Sequence, residues 1–381
     1  MIRWLFKYSA VIFVFNTILL SIPETYIFGG KLFLFLVSVF SFFLILNARE
    51  AKKILFNKAF ALFLIINSLN FLYFLFIHND FSNFGAVKYL LARGVQFSII
   101  SYSIYYHYDF YKNMFLDYIV YLIFFIMIFG FVLQPDIFSS RYSGIIWNPN
   151  AFSSFILIAF GCLLLKNNIK SRFELIMIAL FLLFALASGS RGALIAIPLA
   201  YFMKYGFSRK NILYGFLAFF IYLIMINLQY ETSLNRFDAR DLLNDRIIQY
   251  KYALASINNE FFYGYGLDKY SYIDKSLVPL NLQSEIIGAH NGYLAILTQY
   301  GALLGSIILF LILRNCWHLI YYFYSHDNDI YKRYLFILIY TLIAAFYESL
   351  IVGINEFHTI LFWFSLAILS YSRNYYEDKS C

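Results

Sequence analysis

The stretch MFLDYIVYLIFFIMIFGFVL, residues 114–133, is apolar almost throughout and has a single charged side chain, Asp117, near its start. A run of about 20 such residues is long enough to cross roughly 30 Å of hydrocarbon as an α-helix. We therefore interpret residues 114–133 as a membrane-spanning helix.

Runs of this kind recur along the chain, which predicts an all-α integral membrane protein with about twelve transmembrane helices. Hydrophobic residues make up 62% of the chain, charged residues make up 13%, and the mean hydropathy is +0.70; a soluble chain is only ~45–50% apolar. No linker rich in Pro, Gly or Ser divides the sequence, so we predict one polytopic domain over residues 1–381. The predicted spans are 4–22, 31–47, 58–77, 86–106, 114–133, 150–166, 173–188, 191–206, 211–228, 291–313, 333–352 and 356–372.

The interval 173–206 allows two interpretations, because the sequence GSRG at 189–192 interrupts its apolar run. It is either one very long helix or two short helices joined by a tight turn. We divide it into the two spans given above.

The distribution of basic residues predicts the orientation. An even number of spans puts both termini on one side, and a cytoplasmic N-terminus leaves few cations in the short outer loops, as the positive-inside rule requires. We therefore predict a bacterial inner-membrane protein with both termini in the cytoplasm. Topology then explains most of the net charge of +8, and no nucleic-acid partner is indicated. The predicted cytoplasmic cations are Arg3, Lys7, Lys52, Lys53, Lys58, Lys112, Lys166, Lys170, Arg172, Lys204, Arg209, Lys210, Arg314, Lys332, Arg333, Arg373 and Lys379.

One outer segment, residues 229–290 between the ninth and tenth predicted spans, is much longer than the other connections. Apolar positions within 233–260 suit a helix, or a pair of helices, at the membrane surface. We predict a large periplasmic loop that contains helices. Its cations are Arg236, Arg240, Arg246, Lys251, Lys269 and Lys275.

Arg191, at the outer end of an apolar span, is the first candidate for chemistry. An unpaired charge inside a membrane helix costs roughly 2.5–3.5 kcal/mol on insertion scales. A guanidinium at the membrane boundary can hold phosphate oxygens in bidentate fashion, with backbone N–H groups of the helix beginning at Gly192 adding to the site. The alternative is an interfacial arginine or a structural ion pair.

Two arginines of the long loop present the same choice. Arg246 opens a predicted helix and can bind an anion or pair locally with Asp241, Asp245 or Glu260. Arg240 lies four residues after Arg236 on one possible helix face, where the interleaved acids Asp238 and Asp241 also fit a solvated surface. Arg240 is retained as a candidate for substrate binding.

His290 lies where the long loop enters a membrane helix. A helix N-terminus disfavours the imidazolium, so a neutral imidazole there can accept a proton from a hydroxyl. The alternative is a helix cap formed with Asn291. No HExxH, CxxC or phosphate-binding glycine loop with a following Lys occurs at a useful place, and the three cysteines are scattered, so no metal or cofactor is predicted.

Three segments together resemble the O-antigen ligase and polymerase superfamily (WaaL and Wzy type). These are ASGSRGALIA at 187–196, NDRIIQYKYALASINNEFFYGYGL at 244–267 and AHNGYLAILTQYGALLG at 289–305, in that order. RYSGIIWNPNAFSSF at 141–155 is similar to a further family element. The resemblance covers roughly residues 140–310.

The resemblance implies a GT-C-like membrane glycosyltransferase. Such an enzyme moves a glycan from undecaprenyl diphosphate to an acceptor hydroxyl on the periplasmic face, without a metal or nucleotide sugar. In this interpretation Arg191 and Arg246 hold the diphosphate, and His290, beside Asn291, acts near the acceptor. Two fixed guanidiniums are suited to stabilising the negative charge of the leaving group. Tyr265 represents a tyrosine cluster (Tyr263, Tyr265, Tyr270 and Tyr272) that can stack on sugar rings.

The resemblance allows two acceptors. A polymerase extends the next lipid-linked repeat unit and can involve a chain-length-regulating co-polymerase, whereas a ligase transfers the polymer to lipid A core. Ligases often have a second histidine two residues before the one that corresponds to His290; here that position is Gly288, which favours a polymerase. A lipid-linked oligosaccharide flippase or transporter is the alternative from another class, although such proteins usually spread their charges over a central cavity.

Overall fold

The computed structural model describes residues 2–78, 82–137, 141–166, 171–217, 244–325 and 329–380, and regular structure in these ranges is entirely helical. Residues 209–217 are helical and form α10. The other α-helices are α1 Ile2–Leu19, α2 Tyr26–Leu46, α3 Ala48–Leu55, α4 Ala61–Phe76, α5 Phe84–Asn113, α6 Phe115–Leu133, α7 Pro149–Leu164, α8 Arg172–Ala187, α9 Ala193–Tyr205, α11 Asn244–Asn259, α12 Gly292–Ser325, α13 Asp329–Ala344 and α14 Phe357–Ser380. Short 3-10 turns occupy Pro23–Thr25, Lys58–Phe60, Lys275–Leu277 and Leu280–Leu282.

Four helical segments of the described ranges are long and apolar enough to cross a membrane, and three further apolar helices are shorter. This all-helical, multi-pass character confirms the predicted class of membrane protein; the total of twelve spans stays a prediction. The four long segments are Pro23–Leu46, Lys58–Phe76, Phe115–Leu133 and Gly292–Ser325, and the shorter ones are Phe6–Leu19, Pro149–Leu164 and Ala193–Tyr205.

Charged residues at one end of the bundle tie four helix ends together. Lys166, just after α7, lies 3.3 Å from Asp117 of α6 and 2.8 Å from Glu174 of α8. Arg333 of α13 also contacts Asp117, at 2.5 Å. The predicted cytoplasmic cations Lys166 and Arg333 therefore share one end of the protein, as the proposed topology requires.

Helix α12 is kinked at Gly301, whose φ of 77° is in the left-handed region. A Cβ at this position would lie 2.7 Å from the carbonyl oxygen of Phe262, so only glycine fits. The long loop crosses α12 here and supplies the backbone groups that the kink requires: Ala302 N donates to Phe261 O at 2.7 Å, and Gly266 N donates to Gln299 O at 3.1 Å. The loop is thereby attached to the membrane helices.

The eleventh predicted span, 333–352, is wrong at its C-terminal end. Helix α13 stops at Ala344, and residues 345–356, here termed the α13–α14 connection, contain no helix. By contrast, the interval 173–206 contains the two helices α8 and α9, as the two-span interpretation predicts.

Buried side chains donate hydrogen bonds to the backbone of this connection, which lacks the regular backbone hydrogen bonds of a helix. Irregular backbone is tolerated near membrane helices only where the protein satisfies its polar groups. Arg93 of α5 donates to Gly353 O at 3.0 Å and also to Val352 O. Four further side chains donate to backbone oxygens of the connection: Gln96 donates to Ile354 O, Trp363 to Ile351 O, Thr359 to Leu350 O, and Asn291 to Phe346 O. The connection is therefore fixed between α5, α12 and α14.

Candidate functional site

Glu348, in the α13–α14 connection, joins two of the predicted site residues. Its Oε1 accepts a hydrogen bond from Arg246 Nη2 at 3.0 Å, and its Oε2 lies 3.6 Å from His290 Nδ1. Arg246 belongs to the first turn of α11, and His290 directly precedes the α12 cap residue. Three distant segments of the sequence therefore meet at one carboxylate.

Glu348 is held ionised by these neighbours. Burial on its own raises the pKa of this carboxyl group, but the hydrogen bond from His290 and the positive charge of Arg246 outweigh it and bring the pKa below its usual value. The carboxylate is thus charged at neutral pH and fixes one edge of the Arg246 guanidinium.

The other edge of Arg246 faces no protein acceptor in the described ranges. Its Nη1 is buried and has no hydrogen-bond partner among those residues. An unpartnered buried donor costs about 1–3 kcal/mol. An anionic oxygen next to Nη1 would remove that cost, and Glu348 restrains the guanidinium at its other edge.

Asn291 has a structural role. Its Oδ1 caps α12 by accepting from the backbone N–H groups of Tyr293 at 2.9 Å and Leu294 at 3.0 Å, and its Nδ2 donates to Phe346 O at 3.0 Å. Both Oδ1 and Nδ2 therefore make hydrogen bonds within the protein. Its predicted contact with substrate stays a prediction that this geometry does not favour.

His290 remains accessible beside this cap. Its φ of 41° lies in the left-handed region, which is uncommon for a residue with a side chain, and the imidazole is 39% exposed. With Nδ1 turned toward Glu348, Nε2 is the nitrogen available to a ligand. The backbone conformation and the carboxylate together set the orientation of the ring.

The turn that carries Arg191 contacts the same connection. Gly192 leaves no room for a side chain, because a Cβ there would lie 2.9 Å from the Tyr340 hydroxyl and 3.4 Å from the Tyr347 hydroxyl. Tyr347 directly precedes Glu348. The structure therefore brings the Arg191 turn against the segment that also holds Arg246 and His290.

Arg141 is a further cation at this turn. It was not singled out in the sequence, although it begins the motif at 141–155. Its Nε donates to Ser188 O at 3.1 Å, and its Nη2 donates to Asn150 Oδ1 at 2.5 Å. Arg141 thus attaches the N-terminus of α7 to the turn between α8 and α9 and stabilises the conformation of the Arg191 segment.

Tyr265 and Arg240 are not brought into this cluster by the structure. The Tyr265 hydroxyl donates to Asp274 at 3.1 Å and accepts from Asn259 at 3.3 Å, and its ring packs on Tyr272 at a centroid distance of 4.9 Å. These contacts are internal to the loop. Arg240 lies outside the described residues.

Glu348 is the important residue that the sequence interpretation missed. It falls within the predicted span 333–352, and an acidic residue inside an apolar run is itself an indication of function. The same indication applies to Arg93 within the predicted span 86–106. Because each run is strongly apolar as a whole, a charged residue within it does not alter the prediction of a span.

A second carboxylate of the connection, Glu356, has the opposite electrostatic behaviour. Its carboxyl group is crowded against Gly353 and accepts from Thr359 Oγ1 at 3.1 Å and from the Tyr270 hydroxyl at 3.4 Å. Burial raises its pKa to about 7 despite these hydrogen bonds and the positive charge of Arg93.

We expect this carboxyl group to make stability depend on pH. Because its pKa is higher in the folded than in the unfolded chain, its contribution is complete below about pH 4.5 and is lost as the pH rises through about 7. The loss is at most about 3 kcal/mol. Between pH 5.5 and pH 8.5, the melting temperature of the wild-type protein in detergent should therefore fall by more than that of Glu356→Gln. Glu285→Gln, an exposed change in the long loop, should melt in parallel with the wild type. Parallel curves for Glu356→Gln and the wild type would contradict the assignment.

The chain is similar to a known protein family over part of its length. Residues 176–310 match the family model described as O-antigen ligase. The matched region contains Arg191, Arg246 and His290 but ends before Glu348. No curated protein matches the chain.

Proposed function

We propose that the chain, of which residues 176–310 match the O-antigen ligase family model, transfers an undecaprenyl-diphosphate-linked glycan to a sugar hydroxyl. The proposed enzyme is a metal-independent glycosyltransferase of the bacterial inner membrane, with both termini in the cytoplasm and its active site on the periplasmic face. The family and the multi-pass helical fold support a membrane O-antigen polymerase or ligase function.

The observation that carries the proposal is the arrangement of Arg246. One of its edges is fixed by ionised Glu348, while buried Nη1 lacks a partner in the described ranges. A lipid diphosphate leaves with increasing negative charge, and a fixed guanidinium stabilises such charge without needing to reorganise. Arg191, on the turn that contacts Tyr347, supplies a second cation for the same diphosphate.

His290 is proposed as the base. As the acceptor oxygen bonds to the anomeric carbon, the bond from that carbon to the diphosphate oxygen breaks, and the hydroxyl proton passes to His290 Nε2. Glu348, beside Nδ1, stabilises the imidazolium that forms. The proton is then released to water, and the lipid diphosphate retains the electron pair of the broken bond.

The position two residues before His290 favours a polymerase over a ligase. A Cβ on Gly288 would lie 2.9 Å from the carbonyl oxygen of Ser271, so the second histidine that ligases often have at this position does not fit here. We propose that the acceptor is the next lipid-linked repeat unit and that a chain-length-regulating co-polymerase is a partner. Ligation to lipid A core is the alternative.

Purified protein supplied with a synthetic undecaprenyl-diphosphate repeat unit tests the proposal. We expect lipid-linked products that grow by whole repeats, with the same rate in the presence of a metal chelator. A product that forms only when lipid A core is added would indicate a ligase. Movement of the lipid across liposomes without any transfer would refute the enzyme and favour a flippase.

A further inference from the structure

A cavity of about 340 Å³ opens between the ends of α4, α12 and α14, away from the site described above. Cations come from all three elements: Lys58 from the turn before α4, Arg314 from α12, and Arg373 from α14. His318 follows Arg314 by one helical turn. The remaining lining is neutral: Ala61, Leu62, Ile65, Leu311, Asn315, Leu319, Ser370 and Asn374.

The charge of this cavity is uniform in sign. No carboxylate lines it in the part of the chain that the structure describes. Three cations from separate elements line this one cavity, so its lining attracts an anion. The cavity is thus complementary to a phosphate group.

The cavity lies at the end of the helix bundle opposite the Arg246 site. Along α12, the helical segment after the kink at Gly301 alone rises about 20 Å before Arg314, at 1.5 Å per residue. The other end of α4 contacts the long loop, where the Tyr73 hydroxyl donates to Tyr263 O at 2.6 Å. The other end of α14, at Phe357, adjoins the α13–α14 connection.

Exposed apolar side chains continue from the cavity along α4 and α12, which pack against each other. Leu72 and Ile65 of α4 are 46% and 43% exposed, and Ile307 and Phe310 of α12 are 46% and 62% exposed. These side chains lie at the depth of the hydrocarbon if α4 and α12 span the membrane. A ligand for this place therefore combines a phosphate head with apolar chains.

We propose that this cavity binds the headgroup of an anionic glycerophospholipid, such as phosphatidylglycerol, whose acyl chains lie along α4 and α12. The predicted orientation puts the lipid in the cytoplasmic leaflet. Basic pockets between membrane helices on that side are suited to phosphate headgroups. A free phosphate would satisfy the cations but would leave the adjoining apolar surface unused.

Spin-labelled phosphatidylglycerol in phosphatidylcholine liposomes measures this binding, because bound lipid is immobilised. Each cation near a membrane surface strengthens the association by about fivefold. We expect the triple variant Lys58→Gln, Arg314→Gln, Arg373→Gln to bind about a hundredfold more weakly than the wild type. The matched control is Lys52→Gln, Lys53→Gln, Lys210→Gln, which removes three exposed cations outside the cavity and should bind like the wild type.

Two further arms keep the test decisive. Arg314→Lys retains the charge and should bind nearly as well as the wild type, which separates loss of charge from loss of folding. Equal immobilisation of phosphatidylglycerol and phosphatidylcholine by the wild type, or equal losses in the two triple variants, would overturn the proposal. Displacement of the lipid by millimolar inorganic phosphate would do the same and would assign the cavity to free phosphate.

Discussion

Arg246→Ala is expected to reduce kcat/KM for glycan transfer by about a hundredfold to a thousandfold, the usual effect of removing one fixed donor from a developing negative charge. The guanidinium has one edge on Glu348 and a buried Nη1 directed away from any acceptor in the described ranges. Arg246→Lys should recover little of the activity, because an ammonium group cannot contact a carboxylate and a phosphate along two edges of one plane.

The matched control for this prediction is Lys251→Ala, which removes an exposed cation from the same helix α11. Its kcat/KM should stay close to that of the wild type. A similar loss in both variants would mean that the general positive charge of the loop attracts substrate, and Arg246 would lose its assigned role.

Arg191→Ala and His290→Ala are expected to abolish most transfer as well, while still inserting into the membrane.

Glu348→Gln is the second change with a large expected effect, a loss of transfer of about a hundredfold. The neutral glutamine side chain cannot balance the charge of Arg246 or stabilise a protonated His290. Both neighbours also lose the carboxylate that orients them. Glu348→Asp should recover part of the activity. We expect the acid limb of the pH profile of kcat/KM to move to lower pH in Glu348→Gln, because the protonated form of the proposed base loses its neighbouring carboxylate.

A double-mutant cycle distinguishes this positioning role from simple destabilisation. Because Glu348 contacts both Arg246 and His290, Glu348→Gln should lower kcat/KM less in protein that already has His290→Ala than in the wild type. Glu356→Gln is the matched control, since it changes the other carboxylate of the same connection. Fully additive losses together with an unchanged pH profile would show that Glu348 only supports the fold.

The membrane helices were largely predictable from the sequence. The span 114–133 and helix α6 agree to within a residue or two, because a helix in lipid must be apolar along its whole length. The end of α13 was not predictable in this way. Residues 345–352 are mostly apolar like the helix before them, but side chains of Arg93, Trp363 and Thr359 donate to their backbone oxygens instead.

Part of the site was also predictable. Arg191, Arg246 and His290 were selected from short motifs and their order, and the structure places Arg246 and His290 on one carboxylate and the Arg191 turn against its neighbour Tyr347. Glu348 was not selected, because its partners are distant in the sequence and only the fold brings them together. Tyr265 was selected by composition, whereas its actual contacts are within the loop.

The α13–α14 connection also limits how this protein can be recombined with relatives. The family-matched region ends at residue 310, yet its cationic residues are completed by a segment that begins at residue 345. A chimera that receives only residues 176–310 would acquire a donor's arginine and histidine without the carboxylate fitted to them. We therefore expect that an active chimera requires residues 176–310 and residues 345–356 to come from the same parent protein.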